Sequence, residues 1–213
     1  MAKLYFRYGA MNSGKSTALL QAAFNYEERG MRVLLAKPQI DSKGEQQIVS
    51  RLGVSREVDL LLHPNDDVQE RFRQKARGYE PEALVAEVKI PPVAALLVDE
   101  AQFLTPTQID SLLRIALEDN IPVLAYGIRT DFQTVAFPGA QRLLEIAHTL
   151  EELKTICRCG RKAIFNARKV GDEFVFIGDQ VAIDGVAVTY ESLCGACYLQ
   201  ESGGRLRTYV EPA

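Results

Sequence analysis

Apolar positions along the chain fall into short runs separated by longer amphipathic or polar stretches. Leu4-Tyr5-Phe6-Arg7-Tyr8 alternates as a strand does, while Met31-Arg32-Val33-Leu34-Leu35-Ala36 is nearly continuous, as buried parallel strands are. Val58-Asp59-Leu60-Leu61-Leu62 and Ile121 to Gly127 read as further strands, and Val93-Ala94-Ala95-Leu96-Leu97-Val98 after Pro91-Pro92 is the strongest buried-strand signal. Between them lie helices. Thr17 to Ala23 continues to Glu28-Arg29-Gly30, with Gly30 as its C′ residue. Asp66 to Gly78 is a charged helix starting near Asn65-Asp66. Thr105-Pro106 opens a helix whose Ile109, Leu112, Leu113, Ala116 and Leu117 recur at core spacing, and Gly139 to His148 is a last short one. A strand, helix and strand within residues 4–36 form a βαβ unit, so an α/β fold with a parallel sheet is expected. Lys37 to Arg56 is polar and is expected to be a mobile surface loop. The pattern changes near Glu151-Leu153 to short β-like runs and cysteines, dividing the chain into residues 1–152 and 153–213.

With 213 residues, 47% of them hydrophobic, the chain can bury one good core plus a small appendage. A net charge of −3 gives no bulk attraction to nucleic acid or anionic membrane. No apolar run approaches the roughly 20 residues needed to span a bilayer. The N-terminus enters a strand without a signal-peptide pattern, so a cytoplasmic location is expected, and the four cysteines favour metal ligation over disulfides there.

The first strand runs into Gly9-Ala10-Met11-Asn12-Ser13-Gly14-Lys15-Ser16, and a helix follows. That is a P-loop in its proper context. Glycines let successive N–H groups face one phosphate chain, and the helix adds the positive end of its dipole. Lys15 would reach the outer phosphates, and the Ser16 hydroxyl would sit on Mg²⁺. The strand ending at Val98 delivers Asp99-Glu100 to the same crevice. Adjacent strand residues point in opposite directions, so the two acids divide the work. Asp99 positions Mg²⁺ or its water shell, and Glu100 takes a proton from an incoming hydroxyl or from water. Asp99-Glu100-Ala101-Gln102 also looks like a helicase box, but the remaining chain is too short and cysteine-rich for a second motor domain. From these residues alone the protein is a small Mg²⁺-dependent NTP-using enzyme, either kinase or ATPase.

Cys157-Arg158-Cys159-Gly160 and Cys194-Gly195-Ala196-Cys197 are two close pairs able to place four thiolates around a structural Zn²⁺. The segment between them reads as a hairpin whose long loop is clamped at its base by the metal.

Together these motifs resemble the type II, cytosolic-type thymidine kinases. The resemblance is carried by the P-loop, Asp99-Glu100-Ala101-Gln102-Phe103, Tyr126-Gly127-Ile128-Arg129-Thr130-Asp131-Phe132, Leu153 to Ala163 and Tyr190-Glu191-Ser192-Leu193-Cys194. It implies transfer of the ATP γ-phosphoryl group to the 5′-hydroxyl of thymidine, on a RecA-like P-loop domain with a small zinc-binding β domain. Glu100 would be the general base, and ATP would be held by Gly9, Ala10, Met11, Asn12, Ser13, Gly14, Lys15 and Ser16 with Asp99, Glu100, Ala101 and Gln102. Phe132 would stack on thymine, with Met11, Ile128 and Tyr190 near its methyl group and Phe103 and Phe137 as further walls. A lasso-like loop with Ile183, Asp184 and Gly185 would close over the base through main-chain bonds. The resemblance also implies a homotetramer and feedback inhibition by dTTP. Where the family often carries Arg in the polar loop, this chain reads Ile40-Asp41-Ser42-Lys43, with Arg51 further on. The rival from another class is a P-loop ATPase whose zinc knuckle docks nucleic acid or protein; a third is a nucleotide-binding regulator without turnover. The acidic balance and the aromatic set around Phe132 favour the kinase.

Overall fold

A computed structural model describes residues 1–39, 46–77, 92–180 and 188–207. Its centre is a six-stranded, all-parallel sheet. Its strands are β1 (Leu4–Tyr8), β2 (Arg32–Pro38), β5 (Leu60–Leu62), β6 (Val93–Val98), β7 (Val123–Gly127) and β8 (Thr149–Glu152), and their spatial order is β5-β2-β6-β7-β1-β8. Two strands, β3 (Gln47–Val49) and β4 (Ser55–Glu57), form a separate antiparallel hairpin. Strand periodicity sorts the core into two layers. Leu34 and Ala36, Leu96 and Val98, and Val123 and Ala125 face one side, with Val68 and Phe72 of α2 (Val68–Arg77), Ile109, Leu112, Ile115 and Ala116 of α3 (Pro106–Glu118), and Ala140 and Leu143 of α4 (Pro138–Ile146). Val33 and Leu35, Ala95 and Leu97, and Leu124 and Tyr126 face the other, where α1 (Lys15–Glu27) supplies Leu19, Leu20 and Ala23.

Helix boundaries follow local chemistry. Gly30 takes a left-handed φ of 71° just past α1 and donates to Glu27 O at 2.8 Å. Thr105 and Gln108 form a reciprocal capping box ahead of Pro106, closing two otherwise free N–H groups at the start of α3. Helix α2 starts later than Asn65-Asp66 suggested, because the Asp67 carboxylate accepts from Glu70 N at 3.0 Å. Asp66 instead accepts from His63 N and pairs with Arg71. In α3 the buried stripe takes Ile115, whereas Leu117 is exposed.

Two expectations need correcting. Strand β8 lies in a stretch read as the end of a helix and the approach to a boundary. It is an edge strand, half-polar, held by parallel pairing of Tyr5 to Tyr8 with Thr149 to Glu152. The polar stretch 37–56 is not wholly a loop, since its second half is the β3–β4 hairpin, docked by Ile48, 1% exposed in the α1-side core. A two-pronged Arg56–Glu27 ion pair at 2.6 and 2.5 Å holds the outside. Residues 40–45, including Lys43, lie outside the described residues.

Beyond β8 come β9 (Thr155–Ile156), β10 (Lys162–Ala163), β11 (Phe165–Val170), β12 (Glu173–Val175), β13 (Val188–Leu193) and α5 (Gly195–Glu201). Strands β12, β11 and β13 form a small antiparallel sheet, and β9 pairs with β10. Their core is small: Ala163, Ala167, Leu193 and Tyr198 with Phe165, Phe174 and Phe176, gathered about Cys157 and Cys194.

Ile48→Ala should cost about 3 kcal/mol of unfolding free energy in urea, as for other buried Ile truncations. A loss below about 0.5 kcal/mol would mean that the hairpin is not docked in solution.

Candidate active site and cysteine cluster

The ends of β1, β6 and β7 meet at one edge of the sheet, where open α/β sheets form their crevices. At the end of β1 a Cβ on Gly9 would lie 2.4 Å from both Leu153 O and Ser13 Oγ, so no other residue fits the tightest part of the turn. Asn12 and Gly14 then take left-handed backbone, with φ of 65° and 77°, before α1 begins. The Lys15 ammonium is folded into this loop, donating to Ala10 O at 3.0 Å and Gly9 O at 3.3 Å. Burial pushes Lys15 below the usual lysine range, against the pull of Glu100 and Asp99, and Arg51 adds a repulsive positive charge. Arg51 of the β3–β4 turn is thus near enough to act electrostatically on the phosphate loop.

The two acids diverge, but β6 ends at Val98, so they are separated by a backbone turn and not by the strand alternation that the sequence suggested. Asp99 is anchored by its N–H to Ala36 O at 2.9 Å, and its carboxylate accepts from Ser16 Oγ at 3.0 Å. Burial, and then the neighbouring Glu100, push Asp99 up to about 6 although the Ser16 bond pulls the other way. A buried carboxylate that resists ionisation beside a serine hydroxyl is a hard-oxygen donor set in need of a cation, which fits Mg²⁺. Glu100 takes a left-handed φ of 50° and opens a 3₁₀ turn over Ala101–Phe103. Its carboxylate accepts from Gln102 Nε2 at 2.5 Å.

Of the aromatic set, Met11, Phe103, Ile128 and Phe137 belong to one apolar cluster, with Phe103 edge-on to Phe137 at 5.2 Å. Phe132 is 1% exposed, and the Arg168 guanidinium lies 3.7 Å from its ring centroid. Arg168 also donates to Tyr190 Oη at 3.2 Å and to Gln180 O at 3.1 Å, so it joins Phe132 to Tyr190. Ile183, Asp184 and Gly185 lie outside the described residues.

Arg168, Asn166, Ser192 and Tyr198 were missed by sequence reasoning. Asn166 Oδ1 accepts from Met11 N at 2.7 Å while its Nδ2 donates to Thr130 O at 3.0 Å. Ser192 Oγ donates to Met11 O, and Tyr198 Oη donates to Phe132 O at 2.7 Å. Alternation in Phe165-Asn166-Ala167-Arg168 suggests one wet face, yet Asn166, Ala167 and Arg168 are all buried. The usable signal was a short polar and cationic run flanked by aromatics inside the hairpin.

All four cysteine sulfurs lie within 4.8 Å of one another. Cys159 Sγ and Cys194 Sγ are 3.6 Å apart, close to the ~3.8 Å edge of a tetrahedron with ~2.3 Å metal–sulfur bonds and far from the ~2.05 Å of a disulfide. Backbone amides of Cys159 and Cys194 face the Cys157 sulfur, and that of Cys197, donating to the Cys194 sulfur, pulls that thiol down to about 6. Amides aimed at sulfur suit thiolates, and the donor set fits Zn²⁺ with no open position.

A protein-family model described as thymidine kinase matches residues 2–198 of the chain. A thymidine kinase of Ruegeria pomeroyi is 43% identical over 205 residues, covering 95% of this chain and 96% of its own. One from Chromobacterium violaceum is 46% identical over 207 residues, with 93% and 98% covered. One from Pasteurella multocida is 44% identical over 204 residues, with 94% and 98% covered.

The raised pKa of Asp99 makes stability depend on pH. With about 6 in the folded state against 3.8 for the free group, folding favours the protonated form; this contribution is complete below about pH 4 and lost as pH rises to about 6. Asp99→Asn keeps an acceptor for Ser16 without the charge. In EDTA at pH 7.5 it should stabilise the protein to urea by up to about 3 kcal/mol, and the gain should vanish near pH 4. A variant no more stable than wild type at pH 7.5 would refute the buried-charge assignment.

Proposed function

The chain belongs to the thymidine kinase family, and from that premise we propose that it transfers the γ-phosphoryl group of ATP to the 5′-hydroxyl of thymidine, giving dTMP for nucleotide salvage. The observation that carries the reading is the divergence of two adjacent carboxylates. Asp99 is bound to the P-loop Ser16, and Glu100 is bound through Gln102 to Ile128 on the aromatic side. One side of the crevice thus handles phosphate and the other a hydroxyl-bearing acceptor.

In this mechanism the Gly9–Ser16 loop cradles the donor phosphates, with Asp99 beside them through its bond to Ser16. Lys15 turns out of its contacts with Gly9 O and Ala10 O to follow the charge of the moving phosphoryl group. Ser16 and Asp99 would hold Mg²⁺ together with ATP, and the ion would supply charge neutralisation at the phosphates. Glu100 accepts the 5′-hydroxyl proton as the oxygen bonds to γ-phosphorus and the bond to the β-phosphate bridging oxygen breaks. Phe132 is the stacking platform; Met11, Ile128 and Tyr190 contact the thymine methyl, with Phe103 and Phe137 behind them, and Ile183, Asp184 and Gly185 close over the base. Arg168 keeps Phe132 and Tyr190 in register. Residues 1–152 form the kinase domain and residues 153–213 the domain in which Cys157, Cys159, Cys194 and Cys197 hold a structural Zn²⁺.

On the family resemblance we extend the reading to a cytoplasmic homotetramer inhibited by dTTP, with no nucleic-acid or membrane partner. Among the described residues no helix is long and apolar enough to cross a membrane.

Glu100→Gln should keep ATP and thymidine binding but lower kcat by about 10²–10⁴-fold, since the amide accepts no proton. Product formation from labelled ATP with thymidine, against water as acceptor, is the assay. A kcat within about threefold of wild type would remove Glu100 as the base, and phosphate release without dTMP would replace the kinase by an ATPase.

Elemental analysis should find one zinc per chain. Cys194→Ser should release it, raise proteolytic sensitivity after about residue 150, and raise the thymidine KM more than the ATP KM. Full activity in a metal-free preparation would overturn the assignment.

A further inference from the structure

Gln102 is 1% exposed, and a buried amide must find partners for both ends. Its Oε1 accepts from Ile128 N at 3.2 Å, which fixes the amide orientation, since the flipped amide would set NH₂ against an N–H donor. Its Nε2 is thereby turned to the Glu100 carboxylate at 2.5 Å. We propose that Gln102 is a positioning residue for phosphoryl transfer, holding the Glu100 carboxylate at a fixed place relative to the end of β7; this rests on the thymidine kinase reading above.

The surroundings are built around this amide. At Gly127 a Cβ would lie 2.5 Å from Gln102 Oε1 and 3.2 Å from Gln102 N, so the end of β7 leaves room for the side chain only because that residue is glycine. At Gly139, in the first turn of α4, a Cβ would meet Leu104 O at 2.5 Å, Ala101 O at 2.8 Å and Gln102 O at 2.9 Å. Two elements therefore press on the 3₁₀ turn from different sides. Glu100 itself sits in left-handed backbone, which a residue with a side chain keeps only when its surroundings impose it. A glutamate on such a turn has three free side-chain torsions, and proton acceptance depends on placing one oxygen within about 3 Å of a hydroxyl. The Gln102 bond removes that freedom. Because Gln102 also holds Ile128 N, the carboxylate is referred to the strand end that leads into Ile128 and Phe132, where the acceptor would lie.

A structural brace alone would lower stability and act on Glu100 and Glu100→Gln enzymes alike. Positioning would not. Gln102→Met keeps the length but neither hydrogen bond, whereas Gln102→Glu keeps the acceptor for Ile128 N and turns an oxygen toward Glu100. Both variants are expected to lower kcat by about 10–100-fold, with the KM for ATP and thymidine within about threefold. In the Glu100→Gln background the same changes should lower kcat by less than about threefold, since groups acting as a unit are not additive. Unfolding midpoints and circular dichroism establish that each protein is folded, and Gln102→Glu serves if Gln102→Met is not. The proposal is overturned if a folded variant keeps kcat within threefold of wild type, or if its loss multiplies in full with that of Glu100→Gln. A wild-type protein that phosphorylates no thymidine would overturn the underlying reading instead.

Discussion

The backbone of one residue, Met11, ties the phosphate loop to the small antiparallel sheet. Met11 sits in the phosphate loop, and its N–H donates to Asn166 Oδ1 while its carbonyl accepts from Ser192 Oγ. Asn166 and Ser192 are directly opposite one another in the β11–β13 ladder, so a single rung of the small sheet pinches the loop. Each bond is worth about 1 kcal/mol net, but leaving either group buried and unpaired would cost about 1–3 kcal/mol. The rung in turn depends on the cysteine cluster, because Cys194 lies two residues beyond Ser192 and begins α5. A metal held by the cysteines would therefore act on the phosphate loop through this rung, and the small sheet is not an independent appendage.

The same small sheet, with α5, supports the aromatic side. Tyr198 Oη holds Phe132 O, Asn166 Nδ2 holds Thr130 O, and the Arg168 guanidinium lies on Phe132. The Tyr198 ring packs against Phe165 and Phe176 at 5.0 and 5.2 Å, so one end of this tyrosine is core and the other is site. Burying Arg168 costs desolvation energy, which its bonds to Tyr190 and Gln180 and its stacking on Phe132 offset. A buried arginine touching three segments is a means of registration, and those segments carry or flank the residues assigned to the nucleoside.

Strands, helices and the P-loop were legible because periodicity and glycine placement are local. The βαβ unit, the Thr105 cap and the divergence of Asp99 from Glu100 follow from a few adjacent residues. The cysteine cluster was legible because paired thiols constrain one another at short range. What escaped was non-local. Strand β8 carries Glu151 and Glu152 and is a strand only because β1 pairs with it. Ile48, an isolated apolar residue in polar surroundings, finds its partners across α1. Asn166 and Ser192 look like ordinary strand polar residues until the fold brings Met11 between them.

The division of labour in the site comes from a backbone event rather than from strand alternation alone. Had β6 continued through Glu100, alternation would still have separated the two carboxylates, but Glu100 would have stayed in line with the sheet. Instead the left-handed turn at φ 50° lifts it out of the sheet and starts the 3₁₀ turn that brings Gln102 back beneath it. Asp99, just past the end of β6, still donates its N–H to Ala36 O and is committed to Ser16. Two like charges on adjacent residues repel, and the burial of Asp99 makes that repulsion felt. Tying one acid to a hydroxyl and the other to an amide gives each a separate partner and a separate direction, and a cation at Asp99 would relieve the remaining conflict. The cost of the strained turn and the reluctant carboxylate is borne by a sheet whose strands β1, β2, β6 and β7 are packed on both faces.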